Sequence, residues 1–235
     1  MSDHINIVRI KAVYNALGEL NDKVVFVGGA TVALYADRKT YEVRPTDDVD
    51  ILVEIYTKKQ YAELEELLRQ KGFQNDTTAK FVGRYKLPGI IVDVMPINEE
   101  VLGFSNRWYQ EGYTNSIEYF IDEMCTVKIF PAPYFIASKL EAFKSRGKNE
   151  IGEYDGRTSQ DFEDLVYVME NRSVVWDEMK KTSSLLFNYL KEEFKKLLQN
   201  PYIEEWIDST ASFSSPPMTY YILDEMNAFI QTEES

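Results

Sequence analysis

The sequence predicts an α+β or α/β fold: a mixed β-sheet with flanking helices, followed by a helical C-terminal region. Three observations predict it. Along the first half, helical apolar spacing alternates with short apolar runs ended by glycine or proline. The run "KVVFV" and the second half of "DDVDILVEI" are apolar without alternation, as in strands buried on both faces. Beyond Pro133 the periodicity is helical. The predicted boundary separates residues 1–132 from residues 133–235.

Each element has its own local reason. Ile7, Ile10, Val13, Tyr14 and Leu17 share one face of a helix within 4–20. "KVVFVGG" is a β-branched strand stopped by glycine, and "ATVALYAD" reads as a helix opening at those glycines. "RKTYEVRPT" is a polar loop leading to the strand "DDVDILVEI". "TKKQYAELEELLRQKGF" is a helix with Tyr61, Leu64, Leu67 and Leu68 on one face and a stop at Gly72. "AKFVGRYKL" and "GIIVDVMPI" are strands joined at Pro88-Gly89, and "EMCTVKIFP" is a further strand. "PYFIASKLEAFKSR" is a helix with proline in its first turn, and "GKNEIGEYDG" is a loop. "TSQDFEDLVYVMEN" is a helix capped by Thr158 or Ser159. Residues 173–198 and 217–232 read as helices too.

Composition narrows the chemistry. At 235 residues and 44% apolar content, a real core forms. One cysteine, Cys125, excludes an intramolecular disulfide framework and fits a reducing compartment. No signal-peptide pattern opens the chain, and no stretch approaches about 18 uncharged apolar residues; the expected location is cytoplasmic, with no membrane partner. The net charge of −13 suits a cationic partner or a soluble surface better than non-specific nucleic-acid binding. The single histidine, His4, excludes Ser-His-Asp and Cys-His catalysis and histidine-rich zinc sites. Chemistry must then run on carboxylates, lysine, hydroxyls and hard metal ions.

Four local patterns carry such chemistry. In "RPTDDVDIL", strand alternation puts Asp48 and Asp50 on one face, roughly 7 Å apart, with Asp47 and Val49 on the other. Two like charges at that spacing suit a shared Mg²⁺; read alone, they are a solvated strand start. Gly28-Gly29, between strand and helix, lets phosphates approach the backbone, with the Thr31 hydroxyl in the first turn; read alone, it is an ordinary tight turn. Asp93 interrupts the apolar run "IIVDVMPI", where a lone charge is costly unless paired, metal-bound or at a sheet end. If its strand neighbours that of Asp48 and Asp50, three carboxylates converge. Lys139 lies among apolar neighbours on a helix, as a phosphate-binding or a snorkelling lysine would. Asp161 and Asp164, three apart, share a helix face.

Taken together, Gly28-Gly29, Asp48-Val49-Asp50 and Asp93, in that order, resemble the polymerase-beta-type nucleotidyltransferase superfamily. Within it, the chain looks most like the AbiEii/MenT-type nucleotidyltransferase toxins. Gly28, Gly29, Arg44, Thr46, Asp48 and Asp50 match their G-G…R-x-T-x-D-x-D signature. Lys139, then Arg157, Asp161, Asp164 and Leu165, match their later helical lysine and R-x-x-x-D-x-x-D-L segment. The likeness spans residues 24–170, and Ala30 stands where many members have serine.

The resemblance implies transfer of a nucleoside monophosphate from an NTP to an acceptor, with release of pyrophosphate. It implies Asp48, Asp50 and Asp93 as ligands of Mg²⁺, with Mn²⁺ as a substitute, and Asp93 also as a base for the acceptor. Gly28, Gly29, Thr31, Arg44, Thr46 and Lys139 would bind the nucleotide, and Asp161 would position Lys139 or the acceptor. A toxin-like enzyme would act on RNA, tRNA above all, and be restrained by a cognate antitoxin; the run Lys144, Arg146, Lys148 and Arg157 suits RNA, or is a plain solvated face. The alternatives are a small-molecule enzyme of the aminoglycoside-modifying type and a degenerate binding module.

Overall fold

The computed structural model describes residues 2–38, 43–103, 105–210 and 218–233, with side chains from Ile5 onward. The His4 side chain, residues 39–42 of the expected polar loop and residue 217 of the last expected helix lie outside what is described. The chain forms two compact units, Met1–Leu34 with Glu42–Pro131, and Tyr35–Tyr41 with Ala132–Ser235. The main division falls at Pro131–Ala132. The assignment of the short segment from Tyr35 to the second unit has no sequence signal.

The first unit opens with α1 (Ser2–Leu17), which buries Ile10, Val13 and Leu17 along one face. β1 (Val24–Val27) is buried at every position. The segment after Gly28 is a 3₁₀ helix, Gly29–Tyr35, and not the α-helix expected. The reason is local: the Thr31 amide and hydroxyl both donate to the Gly28 carbonyl, at 3.2 and 2.9 Å, which is the tighter i to i+3 spacing.

β2 (Asp48–Val53) and α2 (Lys58–Gln70) follow. Thr57 and Gln60 close a reciprocal capping box at the start of α2, a device contributing about 1 kcal/mol. α2 buries Tyr61 and Leu68, whereas Leu67, expected on the same face, is 41% exposed. Then come β3 (Gln74–Asn75), β4 (Arg84–Leu87), β5 (Ile90–Pro96), α3 (Glu99–Leu102), α4 (Tyr109–Thr114), β6 (Ile117–Asp122) and β7 (Cys125–Ile129). Among the described residues these strands form one sheet in the order β3-β4-β5-β2-β1-β7-β6. It is mixed: β2 runs parallel to β5, β1 parallel to β7, and the other pairs are antiparallel. The edge strand β6 has no buried position, so the pattern that reveals a core strand is missing from its sequence.

The second unit is helical: α5 (Ala132–Arg146), α6 (Gln160–Asn171), α7 (Val175–Lys180), α8 (Ser184–Leu198), α9 (Ile203–Thr210) and α10 (Thr219–Gln231). Ser159 caps α6 by accepting from the Phe162 amide. The single helix expected over 173–198 is two, because Ser183 caps a new start by accepting from the Leu186 amide. Phe143, Phe162 and Trp206 pack with ring centres 5.3 to 6.0 Å apart. Trp176, Phe194 and Phe229 form a second aromatic cluster, with centres 5.6 to 6.2 Å apart. Among the described residues, no helix is long and apolar enough to cross a membrane.

Candidate active site

Sheet register builds the site. In the parallel β2–β5 pair, Asp48 stands opposite Ile91, Val49 opposite Val92, and Asp50 opposite Asp93. In the antiparallel β4–β5 hairpin, Asp93 stands opposite Arg84. In the β1–β2 pair, Asp50 stands opposite Val27, the residue before Gly28. Arg84, Asp93 and Asp50 therefore form one row across three strands. Asp48 joins them from one pleat earlier on β2, while Val49 between the two aspartates is fully buried.

One carboxylate oxygen from each of Asp48, Asp50 and Asp93 lies within 4.8 Å of the others. Asp48 and Asp50 are half-buried and Asp93 is buried. Asp47 is the residue that points away: its side chain is 97% exposed, with Arg9 at 3.7 Å.

Gly28 forms the wall beside Asp50. Its φ is +73°, in the region that glycine adopts without strain. A Cβ there would fall 1.9 Å from Asp50 Oδ2, so any side chain would displace that carboxylate. The glycine thus has a steric reason that points to Asp50. Gly29 begins the 3₁₀ segment.

Thr31 and Thr46, expected to touch nucleotide, have inward-facing hydroxyls. Thr31 is fully buried on the Gly28 carbonyl. Thr46 is 5% exposed, and its hydroxyl donates to the Asp48 carbonyl at 3.0 Å. Asn6 of α1, buried and not anticipated, accepts from the Thr46 amide at 3.0 Å and donates to the Arg44 carbonyl at 3.1 Å. It ties the segment entering β2 to the first helix. The Arg44 side chain is half-buried.

Arg84 is the site residue that sequence reading missed. Its Nε donates to Asp93 Oδ1 at 2.7 Å and its Nη2 to Asp93 Oδ2 at 2.6 Å, a two-pronged pairing. The same Nη2 is 3.5 Å from Asp48 Oδ2. Hydrogen bonding to Asp93 holds the guanidinium above its already high range; burial opposes this, and the charges of Asp93, Asp48 and Asp50 reinforce it. A signal was present. The tight turn at Pro88-Gly89 pairs Leu87 with Ile90, and three steps outward that register pairs Arg84 with Asp93.

The second unit holds the other two expected residues. Lys139 of α5 is buried, with Nζ 3.2 Å from Asp161 Oδ1 and 2.5 Å from Asp164 Oδ2, both on α6. Arg146, one helical stretch along α5, grips Asp161 with Nε–Oδ2 at 2.6 Å and Nη2–Oδ1 at 2.8 Å. Burial pushes the Asp161 carboxyl up, but Arg146 and Lys139 outweigh it and hold the group below its usual range.

The basic run is largely neutralised by carboxylates. Lys144 pairs with Glu141 and Glu193, Arg146 with Asp161, and Arg157 with Asp155 and Glu205. Lys148 lies over the Tyr154 ring at 5.2 Å.

An all-oxygen, three-carboxylate set fits a hard divalent cation. The fit has a second support in Gly28, whose missing side chain leaves room for the Asp50 carboxylate.

No family model matches the chain, and no curated protein matches it. Among solved structures, it is similar to the crystal structure of an antigenic nucleotidyltransferase-like protein from Paracoccidioides brasiliensis. The two share 17% sequence identity with a TM-score of 0.50, over 91% of this chain and 96% of that one. The fold is thus nucleotidyltransferase-like, a mixed sheet with flanking helices and a helical C-terminal region.

Proposed function

We propose that this protein is a divalent-cation-dependent nucleotidyltransferase, moving a nucleoside monophosphate from an NTP to an acceptor and releasing pyrophosphate. The observation that carries the reading is the convergence of Asp48, Asp50 and Asp93 within 4.8 Å beside Gly28. The likeness to a protein described as nucleotidyltransferase-like supports it.

Asp48, Asp50 and Asp93 would hold Mg²⁺, or Mn²⁺ in its place. When bound, such a cation neutralises charge on the triphosphate and offsets the charge that develops during transfer. The three carboxylates supply its ligands in fixed positions because sheet register, not loop conformation, sets their spacing. Asp93 has both oxygens engaged by Arg84, so we assign it to the cation and to orientation ahead of a role as base. The Gly28 and Gly29 backbone and Arg44 are the proposed phosphate contacts, framed by Thr31 and Thr46. Lys139, held between Asp161 and Asp164, is the proposed neutraliser of phosphate charge, with Asp161 positioning it. Positioning and electrostatics supply such catalysis, which needs no histidine.

The acceptor we propose is RNA, tRNA above all, in a toxin-like enzyme of the AbiEii/MenT type restrained by an antitoxin. A second reading is favoured by the pairing of Lys144, Arg146 and Arg157 with carboxylates and by the net charge of −13: a cationic small molecule of the aminoglycoside type. Labelled NTPs offered with total RNA, protein and an aminoglycoside panel separate the two. A labelled RNA band lost in Asp50→Asn supports the first, and aminoglycoside-stimulated pyrophosphate release supports the second. Labelling of no acceptor with any of the four NTPs sinks the enzymatic reading and leaves the degenerate binding module.

A further inference from the structure

We propose that Arg84 is the resident counter-ion of the carboxylate trio and competes directly with the divalent cation, so that cation affinity is set by how easily the guanidinium gives way. The inference rests on the cation site proposed above and goes beyond it.

Three carboxylates drawn within 4.8 Å repel one another in the absence of a cation. Arg84 answers that repulsion from inside the fold. Its fork spans both oxygens of Asp93, and its Nη2 reaches toward Asp48 Oδ2 at 3.5 Å. The guanidinium thus lies on the Asp48–Asp93 side of the trio, where a cation shared by those two ligands must come close. A carboxylate offers about four lone-pair directions, so Asp93 retains acceptor capacity beyond the fork. The conflict is one of charge: a dication entering the trio meets a positive charge fixed a few ångströms away. The hairpin register that brings Arg84 opposite Asp93 makes this a built feature. A residue serving only to orient Asp93 and a residue competing with the cation share one geometry, but they predict opposite signs when the guanidinium is removed.

The test is Mn²⁺ binding to the full chain without nucleotide, at low ionic strength, with free Mn²⁺ counted by electron paramagnetic resonance. Arg84→Gln is expected to bind Mn²⁺ at least tenfold more tightly than the wild type. Arg9→Gln, which removes a guanidinium beside the outward-facing Asp47, is the control and is expected to change affinity less than twofold. Asp50→Asn is expected to abolish binding in both the wild-type and Arg84→Gln backgrounds. Unchanged or weaker binding in Arg84→Gln overturns the counter-ion role while leaving the cation site standing. Binding that survives Asp50→Asn removes the cation site itself, and the counter-ion proposal with it.

Should Arg84→Gln fail to fold by circular dichroism, the wild type answers the same question. The Arg84 Nε–H resonance, assigned by its loss in Arg84→Lys, is expected to move and exchange faster as Mg²⁺ is added. A resonance unmoved at saturating Mg²⁺ overturns the proposal.

Discussion

Two charged clusters in this protein are built from similar groups and differ in balance. On the sheet of the first unit, Asp48, Asp50 and Asp93 lie beside the Arg84 guanidinium, and two of the three aspartates are only half-buried. In the helical second unit, Asp161 and Asp164 meet two cations, Lys139 and Arg146, and both carboxylates are buried. The named groups of the first sum to −2 and those of the second to zero. A balanced, buried cluster is destabilised when one partner is lost, because the other charge stays buried and unpaired. An unbalanced cluster at a partly open position carries surplus negative charge, which is what the proposed cation would offset.

That contrast breaks in order of effect size. Asp48→Asn should lower nucleotidyl transfer at least about a hundredfold, as expected for a group acting on developing charge. The same change should leave folding stability within about 0.5 kcal/mol, because Asp48 is 39% exposed and its loss relieves repulsion. Pyrophosphate release and a urea melt on one preparation check both halves; a large stability loss would mean that the first cluster is structural after all.

Lys139→Met should cost about 3 kcal/mol, since it withdraws an ammonium from between two buried carboxylates. The double variant Lys139→Met/Asp164→Leu should recover much of that loss in the same melt. Single and double variants of equal stability would contradict the balance argument.

Gly28→Ala should cost about 2 kcal/mol through positive φ and the clash with Asp50. It should also weaken Mn²⁺ binding. A variant that melts like the wild type and binds Mn²⁺ normally would show that the loop moves freely.

The smallest effect belongs to Arg146→Met, about 1 kcal/mol or less, because that side chain is 71% exposed and screened by solvent. Its pH dependence sharpens the reading. Asp161 has a lowered folded-state pKa, so its contribution to stability is fully present above the usual carboxylate range, near pH 4, and is lost as pH falls through the folded value. The stability gap between wild type and Asp161→Asn should therefore be flat from about pH 5 to pH 7 and should close below about pH 4.

Much of the fold was legible because local rules were obeyed. The apolar run of β1, the apolar second half of β2, the Pro88-Gly89 hairpin and the cap at Ser159 were each written in a few adjacent residues. The failures were places where a local pattern competed with something outside it. The segment after Gly28 tightened to 3₁₀ because Thr31 bonds back to the Gly28 carbonyl. The helix over 173–198 divided because Ser183 could cap a second start. β6 went unread because an edge strand without a buried position carries no core periodicity.

By itself, the sequence determined that Asp48 and Asp50 share a strand face, that Asp93 is a charge at an apolar position and that Lys139 and Asp161 lie on helices. Periodicity within one element is a local property, and it suffices for that. Only the tertiary structure decided that β5 lies parallel to β2 with Asp93 beside Asp50, and that Arg84 sits on Asp93. It also decided that the basic run of the second unit is matched by carboxylates. These are pairings between elements distant in sequence, and the free energy that selects them comes from burying both faces of the sheet, which no single segment encodes.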